Sequence, residues 1–349
     1  MSIIEIAGRK IGADYPPYII AEMSANHNGS LDRALEIIRV AKEAGADAIK
    51  LQTYTADTMT LNIDHPRFKI KGNNPWDGEH LYDLYEKAKT PWEWHAKLFE
   101  YGKELGIAVF SSPFDASAVE LLQSLGAPAY KIASFELVDH DLIRCCAGTG
   151  KPLIMSTGMA SISEIAEALD VARAAGAKSI ALLKCTSAYP APYDSINLRT
   201  IPNLAQTFSV QAGLSDHSMG IGVPVAATAL GATIIEKHLT LARADGGVDS
   251  EFSLEPHELA QLVTETRNAH MALGAITYVK GDLETSFKKY RRSLFIARDL
   301  PKGHVLTIND VAALRPGDGL APKYKNVIVG QVLGTDIDRG TPVSWDILK

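Results

Sequence analysis

The chain has little of what marks several large protein classes. Its 349 residues include only three cysteines, Cys145, Cys146 and Cys185. An odd, low count without metal-ligand spacing argues against a disulfide framework. No apolar run approaches the roughly 20 residues that a membrane helix needs. The opening MSIIEIAGRK lacks the basic start and long apolar stretch of a signal peptide, so a cytoplasmic protein is expected. Basic residues are outnumbered, 35 to 41, for a net charge of -6. That leaves no electrostatic footprint for nucleic acid and no polybasic patch for a membrane surface. There is no Walker loop and no GxGxxG motif, so a bound phosphate belongs to a small substrate rather than to a nucleotide.

What the chain does have is a repeated unit. Short apolar runs that end in polar residues recur between about residues 18 and 240: YIIAEMS, AIKLQT, AVFSSP, AYKIAS, LIMSTG, IALLKCT, SVQAGLSDH and TIIEKHLT. Stretches of helical period separate most of them, such as LDRALEIIRVAKEAG, and several stop at a glycine suited to a left-handed cap. Eight buried strands alternating with helices predict an α/β fold, a (β/α)8 TIM barrel, over a doubly wound open sheet. The spacing breaks once, between Thr53 and Pro91, where a long loop rich in Asn, Pro, Gly and aromatics is expected to be functional. Residues 1–280 are assigned to the barrel and 281–291 to a linker. The Gly- and Pro-rich residues 292–349 are assigned to a small β-rich domain that is marginal on its own.

The polar residues at the strand ends would converge on one mouth, where barrel active sites sit. Lys50 and Lys131 interrupt apolar runs. They either snorkel from the wall or face an anion together with the hydroxyls of Ser112, Ser134, Ser156 and Ser215. Without carboxylates nearby, that set suits a phosphate. His217 and His238 end the seventh and eighth strands. Adjacent parallel strands lie about 4.8 Å apart, so both imidazoles can reach one ion, or one of them is a satisfied core residue. Such an ion would keep open positions and act as a Lewis acid, and its ligands do not choose among Mn, Mg, Co and Zn. Glu22, Glu136 and Asp249 are acid/base candidates, Asp249 being equally readable as a turn residue. Asn28 or Ser30 caps the first helix.

These segments also carry a resemblance. IIAEMSANHNGSLDRALEIIRVAKEAGADAIKLQTY, FSSPFD, YKIAS, STGM, KCTSAYPAP, GLSDHSMG and EKHLT resemble, in order and spacing, the sialic acid synthase family. ALRPGDGLAP is similar to its C-terminal antifreeze-like (SAF) domain. The resemblance implies a barrel plus SAF domain, a domain-swapped homodimer, and a divalent cofactor, Mn2+ first with Mg2+ or Co2+ as alternatives. It implies condensation of phosphoenolpyruvate with an amino-sugar aldehyde. By the same resemblance, His217 and His238 match metal ligands, and Lys50, Ser112, Lys131, Ser134, Ser156, Ser187 and Ser215 match phosphoenolpyruvate positions. Gln52 and Tyr189 match sugar contacts, Glu22, Glu136 and Asp249 match sugar-site or acid/base positions, and Arg315 matches an arginine from the partner's SAF domain. Ser187 stands where the family's neuraminic acid synthases carry Asn, which bears on that contact alone. The loop NPWDGEHLYDLYEKAKTPWEWH resembles the family's pseudaminic acid branch and implies 2,4-diacetamido-2,4,6-trideoxy-L-altrose as the sugar. The alternatives are a neuraminate or legionaminate synthase, a barrel enzyme for phosphorylated sugars, and a non-catalytic carbohydrate-binding barrel.

Overall fold

The computed structural model describes residues 2–71, 76–278 and 281–349. The chain divides into two compact units, Met1–Gly274 and Ala275–Lys349. The boundary expected at residue 280 lies outside the described residues, as do Asn74 and Pro75 of the long loop.

The first unit begins with a hairpin, β1 (Ile4–Ile6) and β2 (Arg9–Ile11). Eight parallel strands follow: β3 (Tyr18–Glu22), β4 (Ala48–Thr53), β5 (Ala108–Pro113), β6 (Tyr130–Ile132), β7 (Leu153–Ser156), β8 (Ile180–Cys185), β9 (Gln211–Asp216) and β10 (Ile234–His238). They close in sequence order, β10 pairing with β3, so the expected barrel is formed. The helices follow the sequence signals. In Leu31–Glu43 the apolar residues Ala34, Ile37, Ile38 and Ala41 fall on one face and are buried. Ser30 rather than Asn28 is its N-cap, accepting a bond from the Arg33 amide. The chain turns out of that helix at Gly45, whose φ of 88° disfavours any residue with a Cβ. The last helix, Pro256–Leu273, has its proline in the first turn, where the missing N–H costs nothing. Among the described residues, no helix is long and apolar enough to cross a membrane.

Two apolar clusters fill this unit. One lies between strands and helices. The other fills the barrel from below: Ile20, Ala48, Phe110, Ile154, Leu183 and Ile234 are joined there by Ile4, Ile6 and Ile11 of the hairpin. The hairpin therefore plugs the end of the barrel where the strands begin. Its strands are three residues each, too short to show a period, and the sequence reading passed over them.

The second unit has a two-stranded sheet, β11 (Ser293–Ile296) antiparallel to β12 (Val311–Leu314). Leu294, Ile296, Leu306, Ile328, Leu333 and Val343 form its core. The buried Asp310 accepts bonds from Arg298 Nε (2.7 Å), His304 Nε2 (2.9 Å), and the amide and hydroxyl of Thr307 (2.8 and 2.6 Å). Such a hub ties loops together where apolar area is scarce.

Candidate active site

A period of two builds the site. Side chains alternate across a strand, so the residue two positions after an interior apolar one also points inward. Ile20 is followed by Glu22, Ala48 by Lys50 and then Gln52, Phe110 by Ser112, Ala129 by Lys131, Ile154 by Ser156, and Leu183 by Cys185. Gly213 is followed by Ser215 and His217, and Ile234 by Glu236 and His238. The apolar layer is the floor, and the polar layer lines the mouth above it.

The lysines correct one expectation, because carboxylates sit directly beside them. Register places Glu22 opposite Lys50 across β3 and β4, with Lys50 Nζ 2.6 Å from Glu22 Oε2. Glu236 Oε1 lies 3.3 Å from Lys131 Nζ, 3.8 Å from Lys50 Nζ and 3.1 Å from Ser215 Oγ. Two ammonium groups and two carboxylates thus share one buried patch, in which formal charges cancel. Burial alone would lower the pKa of Lys50, but Glu22 and Glu236 outweigh it and the net shift is upward. For Lys131 burial wins and the pKa falls. Glu22 is pushed up to about 7, by burial first and by the nearby Glu236, against the pull of Lys50.

Hydroxyls and amides flank this patch. Lys50 Nζ lies 3.3 Å from Ser112 Oγ. Gln52 Nε2 donates to Glu22 Oε1 (3.1 Å) and to Ser24 Oγ (3.0 Å), and Ser24 in turn donates to Asp249. Asp249 lies in the turn at 248–250, as its alternative reading expected, but its carboxylate is buried there rather than solvated. Burial raises its pKa, with the Ser24 bond opposing. Ser156 Oγ is buried with no hydrogen-bond partner. The Gly158 amide donates to Ser134 Oγ at 3.2 Å. A Cβ at Gly158 would stand 2.4 Å from Ser187 Oγ and 2.8 Å from Ser134 Oγ, so glycine is what lets these two serines close on the backbone. Glu136 occupies the 3-10 turn Ser134–Val138. Its Oε2 is buried and unpartnered, and burial raises its pKa to about 7.

The imidazoles of His217 and His238 face each other with ring centroids 5.3 Å apart, and the Tyr189 ring packs on His217 at 4.5 Å. His217 Nδ1 lies 3.1 Å from the Thr186 carbonyl. A carbonyl only accepts, so Nδ1 carries a proton and donates to it. His238 Nδ1 is buried and without a hydrogen bond, 3.9 Å from Asp249 Oδ2. Among the described residues no group of three or more His, Cys, Asp or Glu is placed to hold a metal ion. The facing pair of imidazoles suits an ion that takes its remaining ligands from water and substrate oxygens.

Sequence reading passed over Ser24, Cys185 and the central place of Glu236. The Glu236–Lys237–His238 run put Glu236 on the inner face, but which lysines it would meet depends on barrel closure. Cys185 Sγ lies 4.0 Å from His217 Nδ1 and 4.0 Å from Ser187 Oγ. Of the loop aromatics, Trp76 reaches the site. Its ring is 5.7 Å from that of Tyr189, and its Nε1 donates to the Val248 carbonyl at 3.2 Å. Trp92 instead donates to the Tyr54 carbonyl at the loop's base, and Trp94 packs edge-on against His27. Arg315 is exposed and belongs to the second unit.

A closed eight-stranded α/β barrel whose mouth joins paired lysines, serine hydroxyls and two histidines, followed by a small β unit, defines the class. Residues 37–278 match the NeuB family and residues 291–349 match the SAF domain. The chain belongs to the NeuB family. It is 45% identical to a pseudaminic acid synthase of Helicobacter pylori over 96% of this chain and 98% of that one. It is 37% identical to an N,N'-diacetyllegionaminic acid synthase of Legionella pneumophila, covering 97% and 96%. Among solved structures it resembles an N-acetylneuraminic acid synthetase from Leptospira borgpetersenii in complex with citrate. That match has a TM-score of 0.73 and 34% identity, covering 82% of this chain and 94% of that one.

Proposed function

We propose that the chain is a pseudaminic acid synthase, a transferase that condenses phosphoenolpyruvate with 2,4-diacetamido-2,4,6-trideoxy-L-altrose and water. The observation that carries the reading is the mouth itself. Buried lysines, the unpartnered Ser156 hydroxyl and a facing imidazole pair converge there in a chain 45% identical to pseudaminic acid synthases. Lys50 and Lys131, with Ser112, Ser134, Ser156, Ser187 and Ser215, would hold the phosphate and carboxylate of phosphoenolpyruvate. Gln52, Tyr189 and Asp249 would orient the sugar. His217 and His238 would hold a divalent ion, Mn2+ before Mg2+ or Co2+, whose chemistry is Lewis-acid polarisation of the aldehyde.

A carbon–carbon bond forms from C3 of phosphoenolpyruvate to the aldehyde carbon, whose oxygen gains a proton. Water adds at C2 and the C2–O bond to phosphate breaks, leaving a C2 carbonyl; of the two water protons, one ends on the former aldehyde oxygen and the other on the released inorganic phosphate. Glu136, with its unpartnered oxygen and raised pKa, is the base that takes the proton from that water. Glu22 stays beside Lys50 and orients Gln52. We also propose a cytoplasmic homodimer in which each SAF domain lends Arg315 to the partner's sugar site.

The test is phosphate release from phosphoenolpyruvate with the altrose-type sugar, its legionaminic stereoisomer and N-acetylmannosamine at equal concentration. Fastest release with the altrose-type sugar is expected. Preference for either other sugar would overturn the substrate assignment, and no release with any of them would favour a binding barrel without catalysis.

A further inference from the structure

Behind the histidine pair, on the outer side of the strands, lies a second charged cluster that the reaction does not use. Lys237 stands between Glu236 and His238, and Asp216 between Ser215 and His217, so both point away from the mouth into the layer beneath the helices. Lys237 Nζ is 2.5 Å from Asp216 Oδ2, with both side chains fully buried. The same ammonium donates to the Ser218 carbonyl. Asp216 accepts from the Ser218 amide at 3.0 Å and from its hydroxyl at 2.9 Å. Asp216 at the end of β9, Ser218 in the segment after it and Lys237 on β10 are thus tied into one closed knot, and His217 is the residue inside the tied loop.

Desolvating two charges is costly. An apolar pair of the same volume often stabilises a fold as well or better, so such a pair is better explained by the one geometry it specifies. Here that geometry is the spacing of His217 and His238. The knot fixes the backbone at 216–218 against β10 and thereby keeps His217 Nδ1 on the Thr186 carbonyl. We infer that Asp216, Ser218 and Lys237 are positioning residues that hold the two histidines in register, with His217 in a single tautomer that offers Nε2 to the site. The metal part of this inference rests on the function proposed above; the tautomer part does not.

The test uses the full chain and the double variant Asp216→Leu/Lys237→Met, which replaces the ion pair by apolar groups of similar size. The melting temperature should fall, because the buried Ser218 amide, hydroxyl and carbonyl lose their partners, so the readouts of the folded variant decide. In the metal-free protein, 15N NMR of the imidazoles should show one Nδ1-protonated form of His217 in wild type and an averaged one in the variant. Calorimetric Mn2+ affinity should fall at least tenfold, and kcat should fall with KM for phosphoenolpyruvate little changed. A purely structural pair would leave the folded variant's imidazole spectrum and Mn2+ affinity as in wild type; that result overturns the inference. If wild type itself binds no divalent ion, the metal reading fails, and the tautomer still decides the positioning role. Should the double variant not fold, Ser218→Ala keeps the ion pair and removes the hydroxyl tie. A smaller change of the same kind supports the inference, and an unchanged His217 spectrum overturns it.

Discussion

Glu136 carries a testable pH dependence. Its pKa is raised from 4.5 to about 7, chiefly by burial, with Asp139 adding to the rise and Lys131 opposing it. Between those values the folded state binds more protons than the unfolded one, so this group's contribution to stability is lost as pH climbs through that window. Glu136→Gln cannot ionise. It should melt at a higher temperature than wild type at pH 8 and at nearly the same temperature at pH 5. If Glu136 is the base, wild-type kcat should rise with pH up to about 7 and the variant should lose that limb. Melting curves that shift equally at both pH values would count against a buried, proton-holding Glu136. Lys131 presents a different balance. Lys131→Ala removes a charge-assisted contact worth about 1.5–3 kcal/mol, so ten- to hundredfold weaker phosphoenolpyruvate binding is expected. Breaking a buried pair often costs a further 3–5 kcal/mol or so of stability, but Lys50, 3.8 Å from Glu236, limits that loss. Unaltered KM and kcat would reduce Lys131 to a wall residue.

At the scale of strands and loops, the sequence was most legible where periodicity speaks. The eight strands, their order and the inward-facing polar residues follow from apolar runs that end in Lys, Ser, Glu or His. The carboxylate–lysine patch was not legible, because it depends on which strands become neighbours. Glu22 meets Lys50 by register, and Glu236 meets both lysines because β10 closes on β3. A linear pattern of residues does not encode closure. The long loop between Thr53 and Pro91 is stapled at its base by Trp92 on the Tyr54 carbonyl and by His95 on Thr53 (2.8 Å). Its tip brings Trp76 to the Tyr189 ring. An indole there gives methyl and acetamido groups an apolar wall, and discrimination by such a wall is worth about 1–3 kcal/mol. Trp76→Ala should therefore narrow the preference for the diacetamido sugar over N-acetylmannosamine by roughly tenfold or more. The ratio of kcat/KM for the two sugars measures this, and an unchanged ratio would remove the loop from the specificity argument. Gly158→Ala probes another element. Its Cβ would collide with Ser187 and Ser134, so KM for phosphoenolpyruvate should rise while the barrel still folds, as circular dichroism would report.

At the scale of the whole molecule, the question is where Arg315 acts. It sits in an exposed turn of a unit whose own core is small, beside the backbone of residues 288–291, to which Gly317 is bonded through the Lys289 carbonyl. An exposed arginine on a turn, with no hydrogen bond or ion pair among the described residues, is suited to a ligand supplied from outside that unit. If two chains share each sugar site, a chain with Arg315→Ala and a chain with His217→Ala are each inactive, yet their mixed dimer contains one site with an intact barrel and an intact borrowed arginine. Random exchange places about half of all subunit pairs in mixed dimers, each with one working site of two, so recovery approaching a quarter of wild-type activity is expected. The measurement is phosphate release after co-refolding or prolonged mixing, with exchange shown independently by differently tagged chains. Two controls fix its meaning: each variant alone must stay near background, and both must sediment as dimers. Demonstrated exchange with no recovery would mean that Arg315 serves its own chain's barrel or none, and the swapped arrangement would fall while the assignment of the barrel residues stood.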